Sequence, residues 1–373
     1  MTGCDVIVIG AGISGAAAAH ELAREGYRVV LLEGEAQPGY HSTGRSAALY
    51  TRNFGNRTVR ALNGLSLPFF LDPPPGFADH PLLRPRGALT VATADRRDAI
   101  DELLTIAADG SIREIDPAQA VEMVPILRRD GIAFAVFEAG VMDMEVHAIH
   151  QGFLKGMAAH GGRLVCNAAV TVIDRHRGGW RVEAGGQSFT APVIVNAAGA
   201  WAEDVGRLAG LPPIGLTPKR RTAIIVDPPP GVDLRDWPLV DQAGDAFYFK
   251  PEAERLMASP GDATPVPPCD VQPEDLDVAV VVDWLERTTH LTVRRIVHKW
   301  AGLRSFVADE TPVVGPDPAA EGFYWLAGQG GYGIMLAPTL ARATAALVST
   351  NALPADFADA GVTAADLAPG RLR

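Results

Sequence analysis

The chain opens with two apolar runs that flank a helix-like segment. Residues 4–10 (CDVIVIG) and 27–34 (YRVVLLEG) are rich in β-branched and aliphatic side chains, which predicts strands buried on both faces of a parallel sheet. Residues 13–25 (ISGAAAAHELARE) predict a helix whose small residues allow close packing on the first strand, and Gly26 ends it. Together the three segments predict a βαβ unit with a parallel crossover.

Two different patterns follow along the chain. One predicts further elements of the same parallel sheet, namely a helix at 145–160, two strands within 163–184, strands at 192–199 and 323–328, and a helix at 334–349. The other is an alternation of apolar and polar residues that predicts an antiparallel sheet, at 88–93 (ALTVAT), 221–227 (RTAIIVD), 246–250 (AFYFK) and 291–300 (LTVRRIVHKW), with a helix that Asp116 caps. We therefore predict an α/β fold, in which a Rossmann-type domain (1–84, 143–218 and 301–373) is interleaved with an antiparallel-sheet domain (85–142 and 219–300).

Composition limits the classes of molecule that the protein is expected to bind. The 373 residues are 47% hydrophobic and 21% charged and carry a net charge of −11, which disfavours nucleic acid and anionic lipid because both require a basic surface. No apolar stretch approaches the roughly eighteen residues of a membrane span, and the N-terminus lacks the basic region of a secretory signal, so we expect a cytoplasmic protein that binds a small molecule. Cys4, Cys166 and Cys269 are too scattered for a metal site, and none is expected.

A dinucleotide fingerprint lies at the predicted strand-to-helix turn. Gly10 allows the tight turn, Gly12 allows close approach of a pyrophosphate, and Gly15 allows close packing of helix and strand, with Ser14 among the residues at the helix start. Glu33 ends the second strand at the position of a carboxylate that binds a ribose diol. A ligand-free turn is the weaker interpretation, because strand, glycines, helix and acid all align. The acid disfavours NADP, which leaves NAD or FAD.

Residues 37–49 (QPGYHSTGRSAAL) follow this acid and are rich in small and hydroxyl residues. We expect Ser42, Thr43, Ser46 and backbone N–H groups to hold a pyrophosphate, with Arg45 supplying positive charge. A flexible surface loop is the alternative that composition leaves open.

Several motifs now point to a known family. VIVIGAGISGA, EAQPGYHSTGRSAA, VNAAGAW, PKRR, FYFKP, KWAGLRSFVAD and AGQGGYGI resemble the D-amino acid oxidase superfamily of FAD proteins, and within it the bacterial D-arginine dehydrogenases, over nearly the whole chain. The resemblance implies FAD that is bound without a covalent link, since no cysteine follows Cys269. It makes the Rossmann-type domain the FAD-binding domain and the antiparallel sheet the substrate-binding domain.

The same resemblance extends the set of expected cofactor contacts. A glycine-rich turn at 328–333 leads into a helix near Ile334, whose N-terminus would stabilise the anionic reduced flavin. The further residues assigned to the cofactor are Gly44, Ala47, Val170, Ala198, Gly199, Gly302, Gly330, Gly331, Tyr332 and Gly333.

For the substrate, a bidentate arginine is the natural group to hold an α-carboxylate with Cα facing the flavin. Arg304 matches the carboxylate-binding arginine of the family, and Arg221 and Tyr248 match further substrate contacts. Because neighbouring residues of a strand face opposite sides, Arg221 and not Arg220 is expected to enter the site. No catalytic base is assigned, because a neutral substrate amine supplies its own lone pair; the histidines are interpreted as structural.

Departures from the D-arginine dehydrogenase pattern suggest an apolar pocket. Ala88 stands where that pattern has an acid, with no carboxylate expected nearby, and Leu49, Phe54 and Met335 replace more polar residues, beside Gly331. This predicts oxidative deamination of D-leucine, D-methionine or D-phenylalanine in preference to D-arginine and D-lysine. A glycine or sarcosine-type amine oxidase on the same fold is the first alternative, and a non-catalytic nucleotide-binding regulator is the second. The electron acceptor and the oligomeric state stay open.

Overall fold

A computed structural model describes residues 2–107, 109–244 and 246–373. In chain order the strands are β1 (Thr2–Gly3), β2 (Val6–Ile9), β3 (Val29–Leu32), β4 (Leu49–Tyr50), β5 (Leu83–Pro85), β6 (Ala88–Ala92), β7 (Ile112–Ile115), β8 (Phe134–Glu138), β9 (Met142–Met144), β10 (Arg163–Val165), β11 (Val170–His176), β12 (Gly179–Ala184), β13 (Gln187–Ala191), β14 (Val193–Asn196), β15 (Thr217–Val226), β16 (Leu239–Gln242), β17 (Tyr248–Glu252), β18 (Arg255–Ser259), β19 (Ile296–Phe306), β20 (Val313–Pro316) and β21 (Phe323–Ala327). The helices are α1 (Ile13–Arg24), α2 (Arg57–Leu71), α3 (Arg97–Ile106), α4 (Pro117–Met123), α5 (Val146–Ala159), α6 (Ala202–Leu208), α7 (Asp275–Thr288), α8 (Gly333–Thr350), α9 (Ala355–Asp359) and α10 (Ala364–Leu367).

The predicted parallel sheet is present, with strand order β10-β3-β2-β14-β21-β20. Neighbouring strands run parallel except for β20 and β21, which are antiparallel. Every residue of β2 and β3 is buried, as expected for strands covered on both faces, and α1, α5 and α8 pack together over the sheet. The carboxyl ends of β3, β2, β14 and β21 therefore meet at one edge of the sheet.

One part of the predicted sheet is wrong. β11 and β12 were expected in the parallel sheet, but they join β13 and β1 in a separate sheet of order β1-β13-β12-β11. β11, β12 and β13 are linked by tight turns at positive-φ residues, including Gly178 and Gly186, and pair antiparallel, whereas β1 pairs parallel with β13. A hairpin of this kind pairs with its own neighbour and does not add to a distant parallel strand.

The two segments of the predicted antiparallel-sheet domain, 85–142 and 219–300, combine in one large sheet of order β19-β15-β18-β17-β16-β6-β8-β7. Adjacent strands of this sheet are antiparallel except for β16 and β6, which run parallel and join the second segment to the first. The interleaved α/β architecture is thus confirmed. The domain boundaries stay a prediction; β15 and β19 each cross one of them, at 218/219 and 300/301.

The two faces of the large sheet have different partners. Side chains of one face, such as Ile224 and Phe249, pack in a core with Trp284 of α7. The sequence analysis missed α7 and α2, although Val278, Val281 and Leu285 of α7 are buried at helical spacing. Because successive strand residues alternate, their neighbours on the opposite face point toward the parallel-sheet domain.

Arg220 shows this alternation directly. Its side chain lies on the α7 face, 5% exposed, where it forms ion pairs with Asp262 at 3.5 Å, with Asp277 at 2.9 Å and with Glu274. Asp262 also accepts hydrogen bonds from the backbone N–H and hydroxyl of Thr222. Arg221 therefore faces the other way, as predicted.

By length and composition, α8 is a helix that could cross a membrane, which the sequence analysis overlooked. Most of it is buried within the protein, where it packs against α1 and α2. Its apolar character is that of a core helix.

We expect Arg220→Ala to lower the free energy of unfolding by about 3–5 kcal/mol, because it leaves the buried carboxylate of Asp262 and the mostly buried carboxylate of Asp277 without their cation. The matched control is Arg181→Ala on β12, whose partner Asp174 is more than a third exposed, as is Arg181 itself; its effect should stay below about 1 kcal/mol. Urea unfolding followed by circular dichroism measures both. Equal losses in the two variants would show that the α7 cluster is not a buried ion-pair network.

Candidate functional site

A cavity of about 460 Å³ lies between the carboxyl edge of the parallel sheet and the open face of the large sheet. Strand ends, the 42–46 segment, β19 and the start of α8 all line it. The sequence-predicted residues that line it are Gly10, Gly12, Ser14, Glu33, Ser42, Thr43, Arg45, Ser46, Ala47, Val170, Ala198, Gly199, Arg221, Tyr248, Gly302, Arg304, Gly330, Gly331, Gly333 and Ile334. Segments far apart in the chain thus form one site.

The turn between β2 and α1 requires glycine. Gly10 has a φ of +98°, and a β-carbon there would lie 2.5 Å from the carbonyl oxygen of Ala197. A β-carbon at Gly15 would lie 1.8 Å from the carbonyl oxygen of Gly10, so Gly15 packs beneath the turn and does not line the cavity. The backbone here approaches the cavity more closely than any side chain would allow.

Glu33 is held by the backbone at the end of β3. One carboxylate oxygen accepts a hydrogen bond from the Ala11 N–H at 2.9 Å and the other from the Glu35 N–H at 3.0 Å. These contacts fix the carboxylate at the cavity wall beside the glycine turn, where a ribose diol could donate to its remaining lone pairs.

The 42–46 segment is an ordered turn that connects both domains. Thr43 Oγ1 accepts a hydrogen bond from the Ile13 N–H at 2.9 Å at the start of α1, and the Ser42 hydroxyl donates to the Leu303 carbonyl on β19 at 2.7 Å. Gly44 does not line the cavity; its N–H donates to Gly39. This segment sets the distance between the glycine turn and the large sheet.

Arg45 lines the cavity, but its guanidinium is engaged within the protein. Nη1 donates to the carbonyls of Val271 and Ala301 at 3.1 and 3.0 Å, and Nη2 pairs with the Asp270 carboxylate at 2.5 Å. The expected free positive charge is therefore balanced by Asp270, whose own pKa this pairing lowers. The Arg45 side chain thus links β19 to the loop before α7.

Two arginines from neighbouring strands meet on the cavity face. Arg221 of β15 pairs with Gly302 of β19, and Lys219 pairs with Arg304, so both arginines lie on the same side of the sheet. The Arg304 guanidinium lies against Gly331, where a β-carbon would come within 3.0 Å of Nη1. Glycine at 331 makes room for Arg304 at the start of α8.

These two guanidinium groups lack a counter-ion. Within residues 2–107, 109–244 and 246–373, neither forms an ion pair, and Nε of Arg221 is buried without a hydrogen-bond partner. Burial and the charge of Arg304 lower the pKa of Arg221 to about 10, while Tyr248 and Asp262 act in the opposite direction. Two like charges held together in a buried site favour binding of an anion, and a carboxylate fits their forked donors.

The expected substrate-pocket residues are more scattered. Tyr248 lines the cavity and packs with Leu49, Ala88, Val141 and Leu239 in a small apolar cluster. Leu49 and Ala88 thus reach Tyr248 without lining the cavity themselves.

Phe54, Met335 and Tyr332 are also set back from the cavity. Phe54 is 44% exposed, with its ring 5.5 Å from that of Tyr332. Met335 is buried, and its sulfur accepts a hydrogen bond from the Thr51 N–H at 3.4 Å. The Tyr332 hydroxyl donates to the Glu310 carbonyl at 3.2 Å.

The expectation that no carboxylate lies near Ala88 is wrong. Ala88 pairs with Glu138 across β6 and β8, and Asp241 lies directly opposite Tyr248, on the same face of the sheet. Burial raises the pKa of Glu138, although Thr51 and Asn53 donate to its carboxylate, and burial raises the pKa of Asp241 to about 6. Only the strand register brings these acids together, so local sequence carries no signal for them.

Several residues that line the cavity were not predicted from the sequence. Trp201 packs its ring 4.5 Å from that of His41, and Trp300 donates from Nε1 to the Arg45 carbonyl at 3.2 Å. Gln329 lines the cavity, and its side-chain nitrogen is buried without a partner. The AGQGGYGI motif contains Gln329, so its position could have suggested a role. Among the described residues, no cluster of histidine, cysteine and acidic side chains could hold a metal.

Comparisons with known proteins agree with this geometry. Mitochondrial dimethylglycine dehydrogenase of Rattus norvegicus is 26% identical over 354 residues, which cover 89% of this chain but only 41% of that protein. Glycine oxidase of Geobacillus kaustophilus is 24% identical over 387 residues and covers 98% of this chain and 95% of that enzyme. These relatives support the superfamily resemblance and not the narrower likeness to D-arginine dehydrogenases.

The fold has known counterparts as well. L-proline dehydrogenase from P. horikoshii superimposes with a TM-score of 0.85 at 20% identity and covers 99% of this chain and 98% of that one. The family model described as "FAD dependent oxidoreductase" (DAO) matches residues 5–347. This match spans most of the sequence, and the chain therefore belongs to the DAO family of FAD dependent oxidoreductases.

Proposed function

We propose that this protein oxidises the C–N bond of a small amino acid that carries its carboxylate next to the amine, with glycine, N-methylated glycines and cyclic secondary amino acids as the favoured substrates. The observation that carries the proposal is the pair of guanidinium groups at Arg221 and Arg304, which face the cavity and form no ion pair with any described residue. The relatives named above act on dimethylglycine and glycine, and the structural counterpart acts on L-proline, which supports this class of substrate.

FAD is the cofactor of this family, and the cavity fits it. Gly10 and Gly12 line the cavity with backbone that carries no side chain, and the Glu33 carboxylate is held beside them by the Ala11 N–H. Gly10 and Gly12 would receive the pyrophosphate at the start of α1, Glu33 the ribose diol, and the start of α8 the reactive ring.

Arg304 and Arg221 would bind the substrate carboxylate with charge-assisted hydrogen bonds. With the carboxylate fixed, rotation about one bond remains, and the Tyr248 ring limits it to a pose that holds Cα in the cavity. The positive charges of the two arginines disfavour a further cation beside them. They therefore lower the pKa of the substrate ammonium and favour the neutral amine. Bound FAD supplies the chemistry of a two-electron acceptor that takes hydride from Cα. The product is an imine, or an iminium ion from a tertiary amine; water hydrolyses it to a 2-oxo acid and ammonia or an amine, and a cyclic substrate instead gives one ring-opened amino 2-oxo acid.

A D-amino acid with an apolar side chain is the second candidate. Tyr248 lines the cavity and is backed by the apolar cluster of Leu49, Ala88, Val141 and Leu239, and this favours it, because the Tyr248 ring would offer apolar surface to an aliphatic side chain. Asp241 and Glu138 on the same face oppose it, since they add polar groups near that cluster.

The first experiment is anaerobic mixing of the purified holoenzyme with sarcosine, N,N-dimethylglycine, glycine, L-proline, D-leucine and D-arginine, with bleaching of the flavin absorbance as the readout. We expect the secondary and N-methylated amines to reduce the flavin fastest. Rapid reduction by D-leucine alone would favour the second candidate. If none of these compounds bleaches the flavin, the proposed substrate class is wrong.

Arg304→Ala should lower kcat/KM for the best amino acid by roughly 10- to 100-fold, because hydrogen bonds to a charged group contribute about 1.5–3 kcal/mol. Arg304→Lys should recover part of this loss, since it keeps the charge and not the fork. Steady-state kinetics measures both, with Arg181→Ala on the remote small sheet as the control. Wild-type kinetics in Arg304→Ala would exclude this residue as the carboxylate anchor.

Gly15→Ala should abolish or strongly reduce FAD occupancy, because its β-carbon would overlap the carbonyl of Gly10 and displace the turn. The matched control is Gly64→Ala in α2, where a β-carbon meets nothing within 4 Å. Flavin absorbance per polypeptide reports occupancy, and thermal unfolding reports folding. Full occupancy in Gly15→Ala would contradict the assignment of this turn to the pyrophosphate.

A further inference from the structure

The face of the large sheet that carries Arg221 and Tyr248 continues beyond the cavity wall. Tyr248 of β17 lines the cavity, and Asp241 of β16 lies directly opposite it on the same face. Thr90 of β6 lies in turn opposite Asp241. Because adjacent strands are about 4.8 Å apart, Asp241 lies one such step beyond the cavity wall at Tyr248, although it does not line the cavity itself.

The Asp241 carboxylate is an acid that has no cation. Among the described residues no arginine, lysine or histidine pairs with it; the Thr90 hydroxyl donates to it, and the charge that acts on it is the like charge of Glu138. Burial and Glu138 therefore raise the pKa of Asp241. Part of Asp241 is accessible to solvent, and its oxygens are not among the buried side-chain atoms that lack a partner. The carboxylate is thus open to a further donor.

Glu138, the other acid on this face, differs in this respect. Its Oε1 accepts hydrogen bonds from the Thr51 hydroxyl at 2.7 Å and from Asn53 Nδ2 at 2.9 Å. Both donors belong to the segment that follows β4, so Glu138 holds this segment to β8. Asp241 is left as the acid on this face that a ligand could engage.

The same face of the sheet therefore carries opposite charges at two places. Arg221 of β15 and Asp241 of β16 are three strands apart, about 14 Å across the sheet, and the strand of Tyr248 lies between them. The long arginine side chain spans part of this distance. A ligand with a carboxylate at one end and a hydrogen-bond donor at the other would satisfy both groups. A ligand that placed a methyl group against Asp241 would desolvate the carboxylate without giving it a partner.

We propose that Asp241, supported by Thr90, is a specificity-determining residue that accepts a hydrogen bond from a hydroxyl or ammonium group at the end of the substrate remote from its carboxylate. The inference rests on the proposed function, because it requires Arg221 and Arg304 to hold that carboxylate. Within each class of amine, the member with a donor at its far end is then the better substrate. Hydroxylated cyclic amino acids and short diamino acids meet this requirement.

The first test measures binding without turnover in the FAD-loaded enzyme. The two probes, δ-aminovalerate and caproate, have chains of equal length that end in an ammonium and a methyl group, and neither has an amine next to its carboxylate. Titration followed by the flavin absorbance gives both dissociation constants. We expect the wild type to bind δ-aminovalerate about tenfold more tightly than caproate, because a hydrogen bond between charged groups is a strong one. Asp241→Leu should reverse the order, since it replaces the acid with apolar surface.

The second test separates the two kinds of donor by kcat/KM. It compares proline with hydroxyproline, and norleucine with ornithine, each as both stereoisomers. Asp241→Asn keeps an acceptor oxygen and loses the charge, so it should retain most of the preference for the hydroxyl and reduce the preference for the ammonium about tenfold. Asp241→Leu should lose both preferences.

Glu114→Gln is the matched control. Glu114 of β7 lies on the same face of the sheet, three strands from Asp241, and its carboxylate pairs with Arg97 at 2.6 Å, where both side chains are more than a third exposed. This variant should show the preferences of the wild type. FAD content and thermal unfolding are measured for every variant.

Unchanged preferences in Asp241→Leu would overturn the proposal. A wild type that binds caproate more tightly than δ-aminovalerate and also favours proline and norleucine over their partners would overturn it as well. If Asp241→Leu does not fold, the ammonium pair in Asp241→Asn decides: a reduced preference supports the proposal, and an unchanged one refutes it. Failure of every amino acid to reduce the flavin would refute the proposed function, whereas the binding comparison would still decide the role of Asp241.

Discussion

The site depends on two positive charges that the strands bring together and that no acid among the described residues pairs with. Arg221 and Arg304 come from adjacent strands and face the same cavity, while Arg220, one residue away, is buried among acids on the opposite face. Arg220 and Arg221 are neighbours in β15, yet they serve different purposes because their side chains lie on opposite faces of the sheet. One guanidinium holds the sheet to α7, and the other two form a site suited to an anion.

This charge pair has an effect only because the rest of the fold places it opposite the glycine turn. The Ser42–Arg45 turn forms hydrogen bonds to α1 on one side and to β19 on the other, and Arg45 joins the loop before α7 to the same strand. The cofactor edge and the substrate face are thereby held at a set distance. A cofactor ring and a carboxylate bound to these two surfaces would meet in one cavity.

Much of the cofactor side could be predicted from residues that are close in sequence. The strand at Val6–Ile9, the helix at Ile13–Arg24 and the acid at Glu33 form one βαβ unit, and local pattern determines each of them. The substrate side was predicted less well. Arg304, Arg221 and Tyr248 line the cavity, but Phe54 and Met335 do not, and Glu138 and Asp241 were missed.

The sequence by itself determined the first βαβ unit, the glycines of its turn and the alternation that separates Arg220 from Arg221, because these follow from backbone sterics and from the two-residue period of a strand. Only the tertiary structure decided which strands became neighbours. Pairing of β6 with both β8 and β16 brings Glu138 and Asp241 to the surface around Tyr248, and pairing of β15 with β19 brings Arg221 and Arg304 to one face. Contacts of this kind join residues far apart in the chain, and the local pattern of side chains does not encode them.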